Sequence, residues 1–222
     1  AEAIGLSLKV ALWAVLVSLP LGIFAAWLLA RRRFYGHALL NGIIHLPLVL
    51  PPVVLGYLLL VLLGRQGMLG AFLFDSFGIT VAFTWKGAAI ASGVMAFPLL
   101  VRAIRLSYEN VDPRLEAAAR TLGAGRIRVF RTITLPLIAP GILAGGILAF
   151  ARSLGEFGAT ITFVSNIPGE TRTLPLAIFS QVQTPGGEDA AIRLVVISAA
   201  LALTALIASE FLARRVNWGQ GG

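Results

Sequence analysis

An all-α membrane protein with about five transmembrane helices is the fold class this sequence predicts. Three observations carry it. The 222-residue chain is 58% hydrophobic and only 13% charged, with mean hydropathy +0.89, whereas a soluble domain averages about 25% charged residues. Several apolar runs exceed the roughly 18 residues that mark a membrane span. Arginines gather at the ends of alternate runs, which is the positive-inside bias of membrane topology.

The first span reads 4–30 and is closed by Arg31-Arg32-Arg33. Its apolar run is too long for a signal-peptide core, and the positive cluster follows the run, so the helix is expected to enter from outside. Pro20 should bend it, because proline removes a backbone donor and crowds the preceding turn. The second span, 39–63, contains "HLPLVLPPVVLG". Pro47, Pro51 and Pro52 make it a broken or kinked helix, whose freed backbone must be buried or line a cavity. Residues 64–86 are mixed in character and read as an extracytoplasmic loop with a short interfacial helix. The third span, 87–104, ends in "RAIR". A cytoplasmic loop, 105–136, leads to a fourth span at 137–164. The polar loop 165–191 follows, and its "LPLAIFSQV" reads as a short interfacial or re-entrant helix. The fifth span, 192–213, is closed by Arg214-Arg215, and 217–222 reads as a tail beyond a single membrane domain, 1–216. The arginine count by side puts the N-terminus outside and the C-terminus in the cytoplasm.

Several function classes are excluded by composition. Cysteine is absent, so there is no disulfide, thiolate metal site or cysteine nucleophile. His37 and His45 lack nearby carboxylate partners, so no metal site is expected. All basic residues but Lys9 and Lys86 are arginine, yet no aromatic-plus-basic stripe of the kind that stacks bases is present, and nucleic acid is not expected as a partner. No Ser–His or paired-Asp constellation points to an intramembrane enzyme. The chain has no G-x-x-x-x-G-K-[ST] phosphate loop. No internal repeat supports the inverted-repeat plan of many secondary transporters.

Two polar stretches stand out against the apolar background. In the cytoplasmic loop, "EAAARTLGAGRIRVFRTITLP" begins at Glu116. Asp112-Pro113 is a helix start, an N-cap acceptor followed by proline at the first helical position. Leu115, Ala118 or Ala119, and Leu122 recur at helical spacing, and Gly123 suits a left-handed helix end. After Gly125 a second helix is expected, with Ile127, Phe130 and Ile133 or Thr134 on its apolar side and Arg126, Arg128 and Arg131 on the other. The small residues Ala117, Ala118, Gly123 and Ala124 allow another backbone to come close. These residues fit a docking surface, or equally a solvated loop lying against lipid headgroups.

The second stretch is "FARSLGEFGATITF", which puts Arg152 and Glu156 four residues apart on one face of the fourth span. Two such charges cost about 5–7 kcal/mol at a helix centre. The large apolar residues of the span return about 3–6 kcal/mol, so the charges must face inward. One reading is a self-neutralising pair that locks helix packing. The other is a polar patch on a translocation path or gate, with Ser153, Thr160 and Thr162 adding hydroxyls.

The loop resembles the "EAA" loop of inner-membrane permeases of ATP-binding-cassette (ABC) importers; Glu116, Ala117, Ala118, Gly123, Ile133, Leu135 and Pro136 fit that pattern. "ARSLGEFG" is similar to the signature of the oxyanion branch of these permeases. "HLPLVLPPVVLGYLLL", "FPLLVRAIRL" and "ARSLGEFGATITFVSNIPGETRTLP" extend the resemblance, which favours the molybdate permeases of that branch. It implies a type I ABC importer permease fold with a cytoplasmic coupling-helix loop. Glu116 to Arg126, with Ala117, Ala118, Leu122, Gly123 and Ala124, would then contact an ATPase subunit. It further implies a homodimer in the bacterial or archaeal cytoplasmic membrane, joined by two ATPase subunits that bind ATP and Mg. An extracytoplasmic molybdate-binding protein would dock on 64–86 and 165–191. No cofactor is implied for this chain, and no catalytic residue. Molybdate, tungstate and sulfate are all tetrahedral dianions. A sulfate or thiosulfate permease, and an ATP-independent secondary transporter, are therefore the alternatives.

Overall fold

A computed structural model describes residues 2–218, and the side chains of all of these except 209, 210 and 212–218. All regular structure among them is helical. α1 (Glu2–Arg31) remains one helix through Pro20. α2 (His37–His45) passes into a 3-10 turn at Leu46–Leu48 that contains Pro47. Pro51 is extended and Pro52 starts α3 (Pro52–Leu63). The three prolines divide the second apolar run into two pieces bent by 111°, because each removes a donor that a continuous helix needs. α4 (Met68–Phe77) is the short apolar helix expected in the following loop.

α5 (Trp85–Asn110) starts at Thr84, whose hydroxyl accepts from Gly87 N. α6 (Pro113–Thr121) is capped by Asp112, whose Oδ1 accepts from Arg114 N at 2.9 Å. α7 (Arg126–Val129), a π turn at Phe130–Thr134 and α8 (Leu135–Leu154) then run together as one 29-residue helix. α9 (Gly158–Val164), α10 (Leu174–Val182) and α11 (Glu188–Trp218) complete the chain.

The boundaries differ from the sequence reading in four places, one of them the fifth span, which begins at Glu188 rather than 192. The third span continues to Asn110, so part of the expected loop is helix. The second loop helix is not separate from the fourth span but is its first two turns. The fourth apolar run is not one helix over 137–164: it stops at Leu154, and α9 restarts after a break at 155–157. Four helices among the described residues are long and apolar enough to cross a membrane, and the bent pair makes a fifth if it counts as one span. α11 extends through Trp218, and residues 219–222 of the expected tail lie outside the described residues.

α5 is the axis of the bundle. Two-thirds of its apolar window is buried, against 6% for α11. At one end Val10, Leu55, Ala88, Ala91 and Phe163 form a core; at the arginine-rich end Leu29, Leu100, Ile104, Tyr108 and Ile138 form another. α8 reaches α5 through a small-residue stripe, Gly141, Gly145 and Ala149, all buried. Such stripes let helices meet backbone to side chain in lipid, where no hydrophobic force drives them together. A Cβ on Gly141 would collide with the Ser107 side chain and stand 2.9 Å from Ala103 O. Gly141→Val is therefore expected to destabilise the protein by about 3 kcal/mol or more through overpacking. Thermal unfolding of the purified protein in detergent checks this.

Candidate functional site

Glu116 lies in the first turn of α6, where the helix dipole favours a carboxylate. Its side chain turns inward. Oε1 accepts from Thr134 Oγ1 at 2.8 Å and lies 3.6 Å from Arg31 Nη2, while Oε2 meets Arg120 Nη2 at 3.3 Å. Arg31, the last residue of α1, also donates to Val111 O at 3.0 Å. Behind this group a cleft of about 400 Å³ is lined by Trp27, Arg32, Glu116, Arg120, Arg126 and Phe130. Three guanidinium groups and one carboxylate leave it electropositive.

The outward surface of the loop carries three exposed apolar side chains among the arginines Arg114, Arg120, Arg126 and Arg128. Leu115, Leu122 and Ile127 are 49%, 88% and 76% exposed. Ala117, Ala118, Gly123 and Arg126 are exposed as well, and Ala124 is half-buried. Gly123 has φ +86°, the left-handed end expected of it. Ile127, expected with Phe130 and Ile133 or Thr134 on one apolar side, is exposed, whereas Val129 and Thr134 are buried. The π turn is the cause. Val129 and Thr134 are both buried although five residues apart, a spacing only a π turn puts on one face. From Thr134 the buried positions Ile138, Gly141, Gly145 and Ala149 follow ordinary helical spacing. Reading that register backward without the extra residue misplaces Ile127.

The second polar group lies at the break between α8 and α9. Arg152 Nη1 is 2.7 Å from Glu156 Oε2, with side-chain exposures of 30% and 1%. Glu156 Oε1 accepts from Ala159 N at 2.9 Å, so the carboxylate also holds the start of α9. The pair therefore spans a helix end rather than one continuous face. The break is packed closely: a Cβ on Gly158 would stand 2.7 Å from Pro52 Cβ, and one on Gly56 2.5 Å from Ala159 O. Ser153 Oγ is 3.5 Å from Ser92 O. Thr160 is fully buried and donates to Phe157 O at 2.8 Å; Thr162 donates to Gly158 O at 2.9 Å. Both threonine protons are thus committed to backbone carbonyls. Arg152 and Thr162 are the half-buried polar side chains of this group, with 30% of the Arg152 side chain exposed.

At the opposite end, the loop 165–173 is held by hydrogen bonds at its base, while Ile167, Pro168 and Gly169 are exposed. Thr171 is fully buried, accepts from Ile167 N at 2.9 Å and donates to Ser165 O at 3.2 Å. Leu174 N donates to Ser7 Oγ at 2.7 Å, and Trp85 N to Glu170 Oε1 at 3.4 Å, which joins the loop to α1 and α5. The two histidines are occupied locally: His37 Nε2 lies 3.0 Å from Leu29 O and His45 Nδ1 2.8 Å from Asn41 O.

A bundle with a kinked second span, a glycine-cornered arginine-rich loop and a charged helix break can be compared with known families. Residues 18–218 match the family described as "Binding-protein-dependent transport system inner membrane component". The chain belongs to that family. This inner-membrane component is 67% identical over 213 residues to the molybdenum transport system permease protein ModB of Escherichia coli, covering 96% of the chain and 93% of that protein. It is 62% identical over 222 residues to the ModB of Haemophilus influenzae, covering 99% and 97%. Among solved structures, a bacterial ABC transporter that imports the acidic polysaccharide alginate shares the fold. Its TM-score is 0.74 at 20% identity, covering 96% of this chain and 78% of that one.

Arg31 and Thr134 are the site residues that sequence reasoning misses in this inner-membrane component. In the sequence Arg31 is only a topology signal, one of three adjacent arginines. Nothing local marks which of the three reaches a carboxylate in a distant helix. Thr134 reads as apolar-side filler. Its partner becomes visible only once the π turn sets its direction.

Proposed function

We propose that this chain is the membrane-spanning subunit of an ATP-driven importer that carries molybdate, and tungstate by the same chemistry, across the cytoplasmic membrane. The observation that carries the reading is the near-full-length likeness to two molybdenum transport permeases. The loop geometry supports the ATP-driven part. Leu115, Leu122 and Ile127 are exposed apolar side chains beside small residues, as knobs that enter a partner's groove would be. With no phosphate loop in this chain, ATP and Mg are bound by that partner.

Two copies, related by a two-fold axis, enclose the path, and each offers its α6 loop to one ATPase subunit. The N-terminus lies outside and the C-terminus in the cytoplasm. A molybdate-binding protein docks on the outer segments 64–86 and 165–191. ATP binding draws the two loops together and opens the path outward, and release of phosphate reverses it, which is alternating access with the energy source in another chain. Arg152, with Ser153 beside it, faces the path; the neutral Arg152–Glu156 pair lets an anion pass without trapping it.

The test is uptake of labelled molybdate into proteoliposomes that hold this chain with its co-purifying ATPase and binding protein. Uptake that requires ATP and resists excess sulfate is expected. Equal competition by sulfate would move the cargo to the sulfate class. Uptake driven by an ion gradient without ATP would overturn the reading.

A further inference from the structure

α6 contains no buried side chain. Within it only Glu116 and Ala119 are half-buried, although the helix would have to pass on any movement imposed on the loop. Its polar attachment runs through Glu116. The same carboxylate oxygen meets Arg31 at the end of α1 and Thr134 at the root of α8. Arg31 adds a second hold, its donation to Val111 O just before α6. The Thr134 and Val111 contacts are hydrogen bonds with one charged partner, about twice as strong as neutral ones and directional; the Arg31–Glu116 ion pair at 3.6 Å adds attraction without a hydrogen bond. Arg31 Nε and the hydroxyl of the fully buried Tyr108 have no hydrogen-bond partner.

We infer that Arg31 is a positioning residue: it pins α6 to α1 through Glu116, so that displacement of the loop is passed to α1 and, through Thr134, to α8. This rests on the importer reading for the source of the displacement. Glu116 then serves as the inner end of the linkage.

The test uses the full complex in nanodiscs and two readouts. Because the chain has no cysteine, spin labels at Phe24→Cys in α1 and Arg114→Cys in α6, both exposed positions, report the α1–α6 distance. That distance readout needs neither ATP nor cargo, so it judges the pinning even if uptake proves independent of ATP. The second readout is labelled molybdate transported per ATP hydrolysed. Arg31→Met is expected to broaden the distance distribution and to lower transport per ATP roughly tenfold, the effect of one lost charged contact. Arg31→Lys, which keeps a donor for Glu116 but not the fork, is expected to recover most of both. A distribution as narrow as wild type in Arg31→Met, or an unchanged ratio, would overturn the inference. If Arg31→Met does not assemble, Thr134→Val decides on the same readouts: near-isosteric, it removes only the hydroxyl arm. A several-fold loss supports the linkage and wild-type behaviour overturns it.

Discussion

Arg152→Met is expected to give a protein that folds poorly and does not transport, and Arg152→Met with Glu156→Gln one that folds but still transports poorly. Glu156 has a side-chain exposure of 1% and holds two contacts, Arg152 and the amide of Ala159. Taking away only the arginine strands a buried carboxylate, which costs about 3 kcal/mol, the low end for buried pairs because Arg152 is partly exposed. The double variant removes the stranded charge. The side-chain amide introduced by Glu156→Gln would still accept from Ala159 N, so stability should return to within about 1 kcal/mol of wild type. Thermal unfolding checks both values. Transport then separates two roles that stability alone merges. An arginine with 30% of its side chain exposed, on a helix that otherwise faces apolar surroundings, is costly unless it meets water or a second chain. If it meets the path, molybdate uptake by the double variant stays at least roughly tenfold low while its stability recovers. Normal uptake by the double variant would assign the pair to packing alone.

The parts of the fold legible in the sequence are those set by local chemistry. Asp112-Pro113 starts α6, Gly123 ends it with a positive φ, and the prolines of the second apolar run break it, each through backbone constraints within a few residues. What stays hidden depends on distant partners. The break at 155–157 lies within a polar stretch that the sequence does display, but helical spacing alone carries Arg152 and Glu156 through it on one face; the structure stops α8 at Leu154, and α9 restarts packed closely on α3 at Gly56 and Gly158. The π turn is invisible to a search at 3.6 residues per turn, and it alone reverses the direction of Ile127. Thr160 and Thr162 look like path hydroxyls when residue type is all that can be read. Their donations to Phe157 O and Gly158 O follow from the helix restart, which the sequence does not announce. Arg31 and Glu116 are far apart in the chain, and only the packing of α1 on α5 brings them together.

Leu122→Glu combined with Ile127→Glu is expected to yield a stable membrane protein from which the ATPase no longer co-purifies. Neither side chain packs within its own chain, being 88% and 76% exposed, so folding stability should shift by no more than about 0.5 kcal/mol. Exposed large apolar side chains on a polar loop act as interface anchors, and removing one such hot spot costs about 2 kcal/mol or more of binding. A carboxylate forced into a desolvated groove adds to that loss, so two substitutions together weaken docking by roughly a thousandfold or more. The competing reading of the loop as a lipid-headgroup surface makes a different demand. Headgroup attraction comes from Arg126, Arg128 and Arg131, weakens with salt, and spares the ATPase. An apolar groove contact holds in high salt and fails with the two glutamates. Co-purification across a salt series, for wild type and the double variant, therefore decides between them. ATPase retained by the double variant would move the docking site off the Leu122–Ile127 face.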